Sequence, residues 1–172
     1  GLELIFIDNE TVNAQEYERI TVADLEPYMS DGVSLVSLQV LQYRSGALNP
    51  IKEITELVNS YGAMIVWDAS HAAGSVELDF KKNNIDLAVG CTYKYLCAGP
   101  GSPAWLYVSN KLQNKLNVPI QGWFAQKDQF GMGPKFQKSP DIRGFQIASP
   151  SLLGIRCVNS SIELIEEAGL SM

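Results

Sequence analysis

Ala63-Met64-Ile65-Val66-Trp67-Asp68-Ala69-Ser70-His71 is the stretch on which the fold turns. Its first five residues form a continuous apolar run that follows Gly62 and ends on a single acid, which reads as a buried strand with a polar residue at its carboxyl end. Upstream, Asn49-Pro50 supplies a cap and a first-turn proline for a helix that carries Ile51, Ile54, Leu57 and Val58 on one face. That helix stops near Gly62, a residue suited to the left-handed conformation of many helix ends. Further upstream, Val33 to Val40 is short and apolar enough for another buried strand. Downstream, Asp86 to Thr92 and Pro103 to Val108 read as two more, separated by the turn-rich Cys97-Ala98-Gly99-Pro100-Gly101-Ser102. From Ser151 to Glu167 the spacing of Leu152, Ile155, Val158, Ile162 and Ile165 suits a long amphipathic helix. Strands buried on both faces and joined by helices predict an α/β fold, a mainly parallel sheet covered by helices. Ligands of such sheets sit beyond the carboxyl ends of strands, where both Asp68 and Thr92-Tyr93-Lys94 fall.

The bulk properties fit one domain. The chain has 172 residues, 46% of them hydrophobic, enough for one large core. A net charge of −6 sets up no basic field toward nucleic acid or anionic lipid, so a small molecule or another protein is the expected partner. No apolar run approaches the roughly 20 residues that span a bilayer, and the first residues lack a secretory pattern, so a cytoplasmic location is expected. Cys91, Cys97 and Cys157 have no zinc-type spacing; they read as reduced thiols and small buried hydrophobes, and no metal site is expected. The chain stops at Met172 soon after the last helix, and a fragment of a longer protein is expected.

Two clusters carry chemistry. In the first, a carboxylate ends an apolar strand and the only histidine of the chain, His71, lies three residues later. Burying an unpaired carboxylate is costly, and a protonated pyridine nitrogen is one partner that would satisfy it. The alternatives are that Asp68 caps the following turn through backbone amides and that His71 is structural. In the second, Lys94 sits between Tyr93 and Tyr95, after a strand and before the Gly-Pro-Gly turn. Apolar neighbours there favour a free amine able to condense with an aldehyde. The tyrosine hydroxyls, the turn amides and the hydroxyls of Thr92 and Ser102 are candidate partners for phosphate oxygens. A lysine flanked by aromatics also fits a side chain snorkelling from a sheet edge. The separation of Asp68 and Lys94 (94 − 68 = 26 residues) allows one crossover between neighbouring parallel strands.

The segments Trp67-Asp68-Ala69-Ser70-His71-Ala72-Ala73-Gly74-Ser75-Val76-Glu77-Leu78, Gly90-Cys91-Thr92-Tyr93-Lys94-Tyr95-Leu96 and Gly122-Trp123-Phe124 closely resemble the kynureninase family of fold-type I pyridoxal-phosphate enzymes, and the resemblance runs from about Val33 to about Glu167. Related cysteine desulfurases share the Asp-x-x-His and the lysine before Gly-Pro-Gly, but usually carry histidine where this chain has Tyr93, and generally lack Gly-Trp-Phe. The resemblance implies a three-layer large domain, here incomplete, with the family's upstream segment and downstream small domain outside residues 1–172. It implies pyridoxal 5'-phosphate as cofactor, Lys94 as the imine-forming lysine and Asp68 as the pyridinium partner. Tyr93 is then a phosphate ligand and proton carrier, and His71 lies beside the substrate. Trp123 is similar to a tryptophan that bonds the cofactor phosphate. Phe145-Gln146-Ile147-Ala148-Ser149-Pro150 is similar to a segment lent to the neighbouring subunit, with Ser149 where relatives have asparagine or threonine, so a homodimer with shared sites is implied. Core filler for Trp123 and an ordinary turn hydroxyl for Ser149 remain alternatives.

The expected reaction is hydrolysis of L-kynurenine or 3-hydroxykynurenine to an anthranilate and L-alanine, with the isolated chain inactive. A desulfurase or aminotransferase on the same scaffold is the second reading. A non-catalytic module in which Asp68 and Lys94 simply pair is the third.

Overall fold

The computed structural model describes residues 1–7 and 18–169. Four strands form one sheet in the order β1 (Leu35–Gln39), β2 (Met64–Asp68), β3 (Leu87–Gly90), β4 (Trp105–Val108). The first three are parallel; β4 runs antiparallel to β3, with Gly90 opposite Trp105. Helix α1 (Val22–Leu25) precedes the sheet, α2 (Ile51–Ser60) links β1 to β2, α3 (Asn110–Gln113) follows β4, and α4 (Leu152–Ala168) is last.

The apolar face of α2 is the one its spacing predicts. Ile51, Ile54 and Val58 are buried, and Ile54 and Val58 are fully so, each worth about 1.5–3 kcal/mol of burial. They pack in one cluster with Val36, Val40, Ile65, Trp67 and Ala69, alternate residues of β1 and β2 and their extensions. The indole N–H of Trp67 donates to the Thr55 hydroxyl at 3.0 Å inside this cluster, so the largest core side chain buries no unpaired donor. Gly62 ends the helix at φ +72°, its N–H donating to the Asn59 carbonyl.

Several expectations need correction. Strand β1 is not buried on both faces: Leu35 is 53% exposed, because the sheet face it points from is uncovered at that position. The face bearing Leu35, Met64 and Leu106 is open at those three positions, although Leu87 and Val108 on the same face are covered. Asn49 does not cap α2. Its side-chain oxygen accepts from the Ile20 N–H at 2.9 Å and its amide donates to the Gln39 carbonyl at 2.7 Å, pinning the approach to α1 against the end of β1. The β2–β3 crossover is a series of turns instead of a helix, broken by positive φ at Gly74 and Asn84. In α4, Ile155, Val158, Ile162 and Ile165 are half-buried around Gly154 and Ser161, but Leu152 is 79% exposed. All three cysteines are free, and Cys97 and Cys157 are exposed instead of buried.

Candidate active site

The parallel ladder delivers the two clusters to one edge of the sheet. Gln39, Asp68 and Val89 are register neighbours at the carboxyl ends of β1, β2 and β3. The backbone continues the ladder past the strands: Val40 N–H donates to the Asp68 carbonyl and Ala69 N–H to the Val89 carbonyl, both at 2.8 Å. Asp68 is therefore fixed by its backbone from both sides, and Lys94 follows five residues beyond its neighbour Val89.

One carboxylate oxygen of Asp68 accepts the Ser70 N–H at 2.8 Å, the turn cap that the sequence left as an alternative. The other oxygen has no hydrogen-bond partner among the described residues. Beside it, the Gln39 side-chain oxygen is buried with no donor, an acceptor left open at the same strand ends. Lys94 does not satisfy either: among the described residues it makes no ion pair, and its Nζ lies 5.6 Å from the centre of the Tyr93 ring. The structure thus contradicts a module held by an Asp68–Lys94 salt bridge. A free amine and a half-free carboxylate on adjacent strand ends form a set suited to a ligand with one electrophilic carbon and one cationic nitrogen.

His71 feels the charge of both. Burial, and then the positive charge of Lys94, lower its imidazole below the ordinary 6.5, against the opposing pull of Asp68. The ring stands 5.9 Å from that of Tyr43 and meets Tyr95 edge-on at 6.4 Å. The native imidazole therefore holds a proton less readily than the unfolded one. Its contribution to stability is complete above 6.5 and declines as pH falls below that value. An NMR titration of this single histidine is expected to give a midpoint below 6.5, and a midpoint at or above 6.5 would show that burial and Lys94 do not outweigh Asp68.

The hydroxyls of Thr92 and Ser102, candidate phosphate partners, are engaged within their own loop. The Thr92 hydroxyl, buried, lies 2.7 Å from both the Ser102 hydroxyl and the Pro103 carbonyl, and Ser102 donates to the Gly99 carbonyl at 2.7 Å. These hydroxyls brace the loop that follows Lys94, because a buried hydroxyl must find its partners locally. Tyr93 is half exposed next to Lys94, leaving its phenol accessible.

Trp123 sits in a short 3-10 turn, Trp123–Ala125, 49% exposed, with its ring edge-on to Phe124 at 4.6 Å. Ser149 is exposed in the segment between the last 3-10 turn and α4. The segments that carry them are in contact, since a Cβ on Gly122 would run into the Ile147 carbonyl oxygen. No hydrogen bond or ring contact among the described residues joins either to Asp68, His71 or Lys94. The structure brings together Asp68, His71, Tyr93 and Lys94 and adds Tyr43 and Gln39, which the sequence reading missed. Their signal was position, on or just after the carboxyl end of a strand. Among the described residues there is no cluster of metal-binding side chains, and no helix long and apolar enough to cross a membrane.

The chain matches the family model described as aminotransferase class-V over residues 8–172. It is similar to the kynureninase of Burkholderia mallei strain SAVP1, 32% identical over 148 residues, covering 86% of this chain and 36% of that protein. The kynureninase of Deinococcus radiodurans is 30% identical over 147 residues with the same coverage. This chain spans little more than a third of those relatives. Among solved structures, the apo cysteine desulfurase of Thermococcus onnurineus NA1 superposes with a TM-score of 0.72 at 24% identity, over 98% of this chain and 39% of that one. The alanine–glyoxylate aminotransferase of a Nostoc species gives 0.66 at 19% identity, over 90% and 40%. At these identities the structural matches establish the fold, that of fold-type I enzymes.

Proposed function

Because the chain belongs to the class-V aminotransferase family, we propose that it is the cofactor-holding part of a kynureninase-type hydrolase, which cleaves L-kynurenine or 3-hydroxykynurenine to anthranilate or 3-hydroxyanthranilate and L-alanine. The cofactor is pyridoxal phosphate. When bound, it supplies a protonated ring that draws electrons from the substrate's Cα. The residues fit it: the free Asp68 oxygen suits the ring nitrogen, and the unpaired Lys94 amine suits the aldehyde.

In this reading the chain's own groups divide the work. Asp68 keeps the ring nitrogen protonated through its second oxygen while the first stays on Ser70. Lys94 anchors the cofactor and acts as base toward the Cα proton. Tyr93 gives its phenol to the phosphate and carries a proton to the product side. His71, neutral at pH 7, stands beside the substrate and donates or accepts a hydrogen bond without adding charge. Trp123 bonds the cofactor phosphate through its indole N–H, and the segment of Ser149 reaches the site of the neighbouring subunit in a homodimer. The 172 residues form part of the large domain of a longer cytoplasmic protein of tryptophan catabolism, on the kynurenine route toward NAD. The upstream segment and the small domain, with the groups that bind the substrate carboxylate, lie outside them, so the isolated chain is expected to be inactive.

The observation that carries the substrate assignment is the 30–32% identity to kynureninases over 86% of the chain, together with tyrosine immediately before the lysine. The test is to give the full-length protein, loaded with cofactor, L-kynurenine, 3-hydroxykynurenine and L-cysteine in turn. Anthranilate or 3-hydroxyanthranilate release without sulfide is the expected result. Sulfide release without either would assign a desulfurase.

A further inference from the structure

Two turns carry the chemistry, and a single glycine lets them touch. The turn after β2 holds His71 and is closed by Ala73 N–H on the Ala69 carbonyl, Ser75 and Val76 N–H on the Ala72 carbonyl, and the Ser75 hydroxyl on the His71 carbonyl. The turn after β3 holds Lys94 and is closed by Cys97 N–H on the Lys94 carbonyl at 2.9 Å and Ala98 N–H on the Thr92 carbonyl. They meet at Gly74, where a Cβ would lie 2.5 Å from the Tyr95 carbonyl oxygen, 2.6 Å from its carbon and 2.8 Å from the Leu96 nitrogen. The obstacle is backbone, which cannot rotate aside as a side chain would. Gly74 also has φ +87°, so both space and conformation demand glycine.

We propose that Gly74 is a positioning residue: its lack of a side chain lets the Tyr95–Leu96 peptide, one residue beyond Lys94, lie against the His71 turn, and so sets the separation between the Lys94 amine and the Asp68 carboxylate. This rests on the reading of those two groups as the cofactor's partners. Asp68 is anchored by the ladder, so any side chain at position 74 moves the lysine loop and leaves the carboxylate in place.

The test compares Gly74→Ala with Gly62→Ala in the full-length protein. Gly62 has φ +72° with nothing within 4 Å, so it carries comparable backbone strain without the contact. The readouts are the thermal midpoint, the affinity for pyridoxal phosphate by absorbance, and borohydride labelling of Lys94 by mass spectrometry. Gly74→Ala is expected to lose cofactor affinity and Lys94 labelling by about tenfold or more, as displacements near 1 Å do at reacting groups, while Gly62→Ala keeps both. Wild-type affinity and labelling in Gly74→Ala would overturn the proposal. If Gly74→Ala does not fold, hydrogen exchange of the wild-type protein decides: cofactor should slow the Val76 and Cys97 amides together, and independent exchange of the two turns would overturn it. Absence of Lys94 label in the wild type would instead defeat the cofactor assignment itself.

Discussion

Lys94→Ala in the full-length protein is expected to lower turnover of the preferred kynurenine by roughly a thousandfold or more and to abolish borohydride labelling at this site, with almost no loss of stability. The size follows from removing at once the cofactor's anchor and the base, since a positioned base alone contributes about a hundred- to ten-thousandfold. The small stability cost follows from the structure. The Lys94 amine makes no hydrogen bond or ion pair among the described residues and only approaches the Tyr93 ring at 5.6 Å, so truncation leaves no buried group unpaired. Lys94 is only half-buried and has no such partner among the described residues, so its truncation resembles a surface change, which moves stability by about 0.5 kcal/mol or less. Loss of product release with an unchanged thermal midpoint would tie the effect to chemistry. A retained rate would remove Lys94 from the mechanism.

Asp68→Asn is expected to cut turnover and cofactor affinity by about two to three orders of magnitude while the fold persists. Asparagine keeps an oxygen for the Ser70 N–H, so the turn after β2 retains its cap. The second oxygen becomes an NH2 group, which repels a ring N–H where the carboxylate attracted it. Removing one member of a hydrogen-bonded charge pair costs about 2–5 kcal/mol, which corresponds to the range expected. Cofactor titration by absorbance, together with kcat and KM, checks this. If Asp68→Asn binds cofactor as tightly as the wild type, the carboxylate serves only the turn.

The parts of the fold that were legible in the sequence are those encoded by neighbours in the chain. Strand β2 was readable because an apolar run ends on one acid, and α2 because three of its apolar residues recur at helical spacing and are buried together. The antiparallel direction of β4 was not, since nothing in Pro103 to Val108 specifies its partner. Helix α1 escaped notice because it is four residues long and rests on a reciprocal Thr21–Asp24 cap instead of an apolar period. Asn49 was misread for a related reason. Its position before Pro50 fits a helix cap, but its actual partner, Ile20, is 29 residues away. Within the site, Asp68, His71 and Lys94 were legible as strand-end polar residues. Tyr43 was hidden because its contact with His71 depends on where β1 lies beside β2, which only the register fixes. The local partners of the Thr92 and Ser102 hydroxyls were not legible, because proximity to Lys94 in sequence says nothing about which carbonyls they meet.

The strands occupy the sheet in the same order in which they follow one another in the chain. Among the described residues, each pairing therefore closes only the loop to the strand just before it. Loop-closure entropy stays small under such an arrangement, and contacts between sequence neighbours favour rapid folding. During synthesis, β1, β2 and β3 have all appeared once Gly90 is free of the ribosome, and the Lys94 turn needs only the few residues that follow. The order of strands thus places assembly of the Asp68–Lys94 half-site early, with the Trp123 and Ser149 segments added to a scaffold already formed.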